Sequence, residues 1–343
     1  MTRTKTLATS LFSLTAAALL ALGSGGGATA APSMGNGTDA STVSSNSASD
    51  GNTADYWTPE RMKNAVSGDV LASKALSRAR AAVGLSDVPI SPEQVFPELG
   101  HTLAIEGQQA SSTPAPSPAL DRKANAGESP VSHIGKVFFT LGGVNYVCSG
   151  NSVTSANQST VSTAGHCLNE GPGAFASNFT FVPAYLNGAA PYGKWTAKAL
   201  YTTSQWSSSG AMQYDTGFAV MNTLNGQKLS DVVGASGVQF NAARGLAYKS
   251  FGYPAAPPFN GESLKSCSGT AANDPYNPQY NTQGIPCNMT GGSSGGPWFI
   301  GTSASGYQNS VNSYGYGSNS TKMYGPYWGT VIQGTYQTAS TAP

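Results

Sequence analysis

Polar and apolar positions divide the 343-residue chain into stretches that follow different rules. Arg3 and Lys5 open a basic start, Leu7 to Leu22 forms an apolar stretch, and Ala28-Thr29-Ala30 supplies small residues after it. That order describes an export signal over residues 1–30; an apolar run of about 16 residues is shorter than the roughly 20 that span a bilayer. Residues 31–54 carry almost no large apolar side chains and are expected to be disordered, because they cannot bury enough surface to offset ordering. Thr58-Pro59-Glu60 then reads as a helix start, with Thr58 as cap and Pro59 at the first helical position. A helical stretch rich in Ala, Leu, Lys and Arg runs through Ala75 to Val83, and Gly84 stops it. Gln108 to Ala126, rich in Ser, Pro and Ala, is expected to be an exposed linker.

From His133 onward the period changes. Lys136 to Leu141, a turn at Gly142-Gly143 and Val144 to Val147 predict a β-hairpin. Short β-branched or aromatic runs follow at Thr160–Thr163, Phe179–Tyr185, Gly217–Met221, Val232–Phe240, Ala247–Phe251 and Pro297–Ile300, separated by turn residues. Residues 131–343 are therefore expected to be all-β, as a double layer or barrel.

Charge changes this picture little in sum and more in its distribution. A formal net charge of +1 gives electrostatic support to neither a nucleic-acid nor a membrane-surface role. Of sixteen acidic residues, only Glu170, Asp215, Asp231, Glu262 and Asp274 lie after residue 130, so any essential carboxylate of the β-rich part is one of five. Charged residues make up 10% of the chain, which leaves a neutral polar surface suited to an exported protein.

Three stretches set a catalytic residue type among small neighbours: Thr163-Ala164-Gly165-His166-Cys167, Tyr214-Asp215-Thr216-Gly217-Phe218-Ala219-Val220, and Gly291-Gly292-Ser293-Ser294-Gly295-Gly296-Pro297. Nucleophilic acyl transfer needs a hydroxyl, a base to take its proton and an acid to hold that base in one tautomer. The chain order His, Asp, Ser fits one known solution. Only His101, His133 and His166 exist, and only His166 stands in the Ala-Gly-His-Cys context. Asp231 and Asp274, in polar or loop surroundings, are weaker rivals to Asp215. Four cysteines follow residue 147 without a Cys-x-x-Cys spacing, which favours disulfides over a metal site and leaves three pairings open.

These motifs resemble the chymotrypsin-like serine peptidases in their bacterial secreted branch, over roughly residues 133–335. The resemblance implies two six-stranded antiparallel β-barrels packed together, with His166 as general base, Asp215 as its orienting acid and Ser294 as nucleophile. Gly295-Gly296-Pro297 selects Ser294 over Ser293. It further implies an oxyanion hole from the N–H groups of Gly292 and Ser294, disulfides Cys148–Cys167 and Cys267–Cys287, and a substrate-pairing strand at Ser313-Tyr314-Gly315. Asn288, six residues before Ser294, falls at the pocket floor of the resembled family, with Gly325 opposite it. Neutral Asn288 suggests a neutral or apolar side-chain preference.

The expected organisation is a signal peptide (1–30), a pro-region and linker (31–130) and a peptidase domain (131–343), secreted, monomeric and acting on protein or peptide substrates. Neither a metal nor an organic cofactor is called for, nor a nucleic-acid or membrane partner. Ser293 stands where animal members carry the aspartate that pairs with a freed N-terminus, so activation is expected by removal of the pro-region between about Gln108 and His133. The alternatives are a glutamyl-specific enzyme, an inactive peptidase-shaped binding protein, and a structural exoprotein; the last leaves the contexts of His166 and Ser294 unexplained.

Overall fold

The computed structural model describes residues 42–46, 53–82, 101–110, 128–317 and 319–343. The expected export signal, most of the Gln108–Ala126 linker and the Val83-Gly84 helix end lie outside the described residues. The leader contributes β1 (Thr42–Asn46), α1 (Thr53–Tyr56), α2 (Pro59–Lys63), β2 (Val66–Ser67), α3 (Asp69–Ala82) and β3 (Leu103–Ile105). Thr58 caps α2 as expected: its hydroxyl accepts from the Arg61 N–H at 3.2 Å, and Pro59 opens the helix.

The first half of the β-rich part comprises β4 (Ile134–Leu141), β5 (Val144–Val153), β6 (Thr160–Thr163), β7 (Ser177–Pro183), β8 (Trp195–Thr203) and β9 (Gly217–Met221). Helix α4 (Ser204–Ser209) sits between the last two. The hairpin expected at Gly142-Gly143 forms, with Leu141 opposite Val144. Both glycines take positive φ, 57° and 79°, as a two-residue turn between right-twisted strands requires. These six strands close on themselves in the order β8-β7-β4-β5-β6-β9, with β9 pairing back to β8.

Beyond α5 (Leu229–Val233), the second half holds β10 (Val238–Phe240), β11 (Ala247–Gly252), β12 (Lys265–Thr270) and β13 (Ala272–Asn273). Then come β14 (Thr282–Pro286), β15 (Pro297–Ile300), β16 (Gln308–Val311), β17 (Lys322–Pro326) and the C-terminal helix α6 (Thr330–Thr341). Its strands form two hydrogen-bonded groups, β12-β11-β15-β16-β10-β3 and β13-β14-β17, and β3 comes from the leader. The all-β architecture expected from the alternating runs is thus present, as one closed barrel and a second set of sheets.

The run Val232–Phe240, expected as a strand, begins in helix α5 and becomes strand only at Val238–Phe240, and two further features depart from the sequence pattern. Thr42–Asn46, expected to be disordered, runs antiparallel along β8 from Thr42↔Thr203 to Asn46↔Ala199. An unpaired strand edge supplies backbone partners whatever the side chains are, so a polar segment can join it. The second is α6, which packs Ile332, Tyr336 and Ala339 into the main core. Its neighbour Trp328 stacks on Phe240 with ring centroids 5.4 Å apart, and Tyr336 meets Phe218 at 5.6 Å.

Lys136 is an exception inside the first half. Its side chain is 4% exposed, 3.8 Å from the Glu262 carboxylate, with its ammonium 4.5 Å from the centroid of the Tyr185 ring. Burial pushes its pKa down to about 8, against the opposing pull of Glu262. In the unfolded chain the amine holds its proton to a higher pH, so the unfolded state binds more protons above about pH 8 and stability rises with pH there. Measured by urea denaturation against the Lys136→Met,Ser294→Ala protein, the stability of the Ser294→Ala protein should therefore climb between about pH 8 and 10, by up to about 3 kcal/mol; the comparison cancels the opposing fall from tyrosines whose pKa burial raises. A difference that stays constant over that range would show that Lys136 does not titrate there.

Candidate active site

A single 3-10 turn, Gly165–Cys167, follows β6 and presents His166. The turn is held at its end by the Cys148–Cys167 disulfide, which ties it to β5 with Cα atoms 6.4 Å apart. Gly165 is required there by space, since a Cβ would lie 2.9 Å from Trp206 and 3.0 Å from the Asp215 carboxylate. Asp215 stands at the end of the 3-10 turn Met212–Tyr214, just before β9. Neither His166 nor Asp215 exposes its side chain.

Three donors converge on the Asp215 carboxylate. Oδ1 accepts from the His166 backbone N–H at 2.8 Å; Oδ2 contacts His166 Nδ1 at 2.8 Å and accepts from Ser313 Oγ at 2.5 Å. With the carboxylate as acceptor, Nδ1 of a neutral imidazole carries the proton and Nε2 is left as a lone-pair acceptor. Nε2 is buried and has no hydrogen-bond partner. A buried basic nitrogen held in this state can take a proton from a hydroxyl brought to it.

The loop before β15 carries Ser294. Gly292 and Gly295 take positive φ, 95° and 80°, and a Cβ on Gly292 would meet the Tyr253 carbonyl at 2.8 Å. The N–H groups of Ser293, Gly295 and Gly296 donate to the carbonyls of Thr290, Asn312 and Ser293. Among the described residues, those of Gly292 and Ser294 donate to no acceptor. Two free N–H groups two residues apart form the pattern an oxyanion needs. The Ser294 carbonyl accepts from Ser149 N–H at 2.7 Å, which fixes the loop against β5.

Asn312 carries more of this loop than its sequence context signals. Its Nδ2 donates to the carbonyls of Phe251 and Ser293, at 2.9 and 3.0 Å, and its Oδ1 accepts from Ser250 Oγ and Trp298 Nε1, both at 2.7 Å. Ser313, assigned from sequence only to substrate pairing, also binds Asp215. Nothing local to either residue marks these roles, since the partners lie up to 98 positions away in sequence.

A cleft of about 510 Å³ brings Ser294 together with Ser293, Ser313, Tyr314 and Gly315, as the resemblance implies. Neither expected pocket-floor residue lines this cleft. Asn288 is exposed and does not line the cleft; its neighbour Met289 does. Gly325 also faces elsewhere, its missing Cβ pointing at the Val311 carbonyl 2.3 Å away. The disulfide Cys267–Cys287 joins β12 to the residue after β14, so the chain leaves that sheet at Cys287 and turns one residue later into the cleft. Cys148, Cys167 and His166 offer atoms within 4.8 Å of one another, but both sulfurs are spent in the disulfide and cannot ligate a metal.

Among solved structures the chain is similar to the protease Anisep from Arthrobacter nicotinovorans, with 84% identity and a TM-score of 0.63 over 63% of this chain and 99% of that one. It is also similar to the thermostable serine protease AL20 from an extremophilic microorganism, with 53% identity and a TM-score of 0.60 over 62% of this chain and 98% of that one. The chain belongs to the chymotrypsin-like serine protease family. No family model and no curated protein matches it. As a serine protease it is a hydrolase acting on protein or peptide substrates.

The Asn312 carboxamide yields a test of how this protease holds its serine loop. Asn312→Ala removes a partner from four buried groups, of which the Ser293 carbonyl keeps the Gly296 N–H; each of the others left unsatisfied costs about 1–3 kcal/mol. Thermal unfolding of the Ser294→Ala,Asn312→Ala protein should show a loss of at least about 3 kcal/mol relative to Ser294→Ala alone. A loss below about 1 kcal/mol would mean that the network is dispensable.

Proposed function

We propose that the chain is a secreted serine endopeptidase in which His166, Asp215 and Ser294 form the catalytic triad. The observation that carries this is the buried, partnerless His166 Nε2 beneath a carboxylate clamp. In the mechanism, Nε2 takes the Ser294 proton as Oγ attacks the scissile carbonyl, and the N–H groups of Gly292 and Ser294 stabilise the oxyanion. The imidazolium then protonates the leaving amine, and water releases the acyl-enzyme through the same base. Asp215 stabilises the imidazolium and fixes its tautomer.

Maturation follows the expected organisation: export on the signal at 1–30, removal of the pro-region, and release of a monomeric domain at about 131–343. Residues 131–343 are 213 of the 343 positions, about 62%, which matches the share covered by the two related proteases. Glu128 supports a start at or before that residue, because it pairs with Lys249 at 2.7 Å and accepts from Ser266 Oγ at 2.5 Å.

For specificity, Met289 and Met323 line the cleft and no carboxylate of residues 131–343 does, which favours neutral or apolar side chains over Arg or Lys. Lys322 also lines the cleft and supports a second reading, acceptance of acidic side chains. A peptide-library profile separates the two: apolar preference unchanged by Lys322→Ala supports the first, and a Glu preference lost in Lys322→Ala supports the second.

Single replacements Ser294→Ala and His166→Ala should each lower kcat by about a million-fold, with no further loss in the double mutant, because a nucleophile and its base act as a unit. Ser293→Ala, whose hydroxyl bonds only the Thr290 carbonyl, should keep most activity. An active Ser294→Ala would overturn the assignment of the nucleophile.

A further inference from the structure

Leader residues form one wall of the cleft. β2 lies parallel to β5, with Val66 opposite Tyr146 and Ser67 opposite Val147. The Gly68 N–H donates to the Val147 carbonyl at 2.9 Å. Only glycine fits at 68, since a Cβ would sit 2.6 Å from Cys148 Sγ. The chain then enters α3 directly over the nucleophile loop: a Cβ on Gly291 would be 2.1 Å from Asp69 Oδ1 and 2.3 Å from Ser67 Oγ. Asp69, Ala72 and Ser73 line the same cleft as Ser294, Ser313 and Gly315.

Further along, α3 is bolted to both sides. Ala75 and Leu76 are buried with Trp206 and Met212 of the first half and Tyr314 and Tyr324 of the second. Arg78 Nη2 donates to the Gly171 carbonyl at 2.6 Å, and the Arg80 guanidinium lies 5.8 Å from the centroid of the Tyr316 ring. Beneath this cover His166 is fully buried and Ser294 is 4% exposed.

Direction matters as much as position. In the proposed mechanism substrate pairs with Ser313–Gly315, as the resemblance implies, on the N-terminal side of the attacked carbonyl. The leaving peptide then lies beyond Ser294, towards Cys148–Cys167. The leader runs the other way, meeting Tyr146–Val147 at residues 66–67 and Tyr314, Tyr316 and Tyr324 only at residues 75–80. From Asp69 its backbone is also helical, with its N–H and C=O groups turned to each other rather than to the strand at Ser313.

We propose that Val66–Ala82 is a built-in inhibitor that blocks the cleft with chain polarity opposite to a substrate, and so covers Ser294 without being cut by it. This rests on the triad reading above. It gives the leader a function distinct from marking where the mature chain starts.

The test uses the full chain and a fluorophosphonate probe, with intact-mass analysis to separate uncleaved from processed protein. Uncleaved wild-type chain should label at least about 100-fold more slowly than the processed enzyme, as expected if the uncovered state is populated at about 1%. Uncleaved Leu76→Asp, and to a lesser degree the milder Arg78→Ala, should label faster than uncleaved wild type. Equal labelling of uncleaved and processed wild type would overturn the proposal, whether or not Leu76→Asp folds. So would a cut within Val66–Ala82 while the leader is still docked, since reversed polarity forbids it. Failure of the processed enzyme to label would instead count against the triad.

Discussion

The Asp215 carboxylate is the joint on which the site depends. Its donors come from both halves of the molecule: His166, through backbone and ring, from the turn after β6, and Ser313 from the segment after β16. A buried carboxylate with all its neighbours in place is held cheaply, but one left unpaired is costly, so any slip between the halves is opposed by a desolvation penalty. The alignment of the imidazole and the docking of the two β units are thereby one constraint. The Cys148–Cys167 disulfide acts on the same turn from its other side, and Asn312 does the corresponding work for the serine loop.

The leader extends this logic from positioning to access. Trp57 is fully buried against Phe138 and donates its indole N–H to the Asn178 carbonyl at 2.7 Å, anchoring the segment that precedes β2. β1 lies on β8 and β3 on β10, so the leader touches one half before α3 and the other after it, with α3 packed against both. Two tight glycine contacts, at Gly68 and Gly291, lie where the leader meets the β-rich part.

What could be read from sequence follows the range of the interactions involved. The Gly142-Gly143 hairpin and the Thr58-Pro59 helix start are local, and their turn and cap chemistry is written in adjacent residues. His166, Asp215 and Ser294 are distant from one another, but His166 and Ser294 sit in short stretches whose glycines show in the sequence because another part of the chain presses on them: Gly165 against Trp206, Gly292 against Tyr253. The Ser313 bond to Asp215 and the four bonds of Asn312 have no such imprint. Counting back six residues from Ser294 gives exposed Asn288, whereas its neighbour Met289 lines the cleft, and nothing in the local sequence marks that difference. α6 is rich in threonine, a poor helix former, and only the spacing of Ile332, Tyr336 and Ala339 hints at its buried face.

The central claim is that Asp215 holds neutral His166 with its proton on Nδ1 and its lone pair on Nε2. Nitrogen-15 NMR of the leader-free Ser294→Ala protein tests this directly, and with only three histidines in the chain the resonances can be assigned by replacing His101 and His133. The neutral ring should show a protonated Nδ1 and an unprotonated Nε2, and Asp215→Asn should reverse the tautomer, as an amide that donates to Nδ1 forces the proton onto Nε2. A neutral His166 already protonated at Nε2 with Asp215 intact would contradict the account.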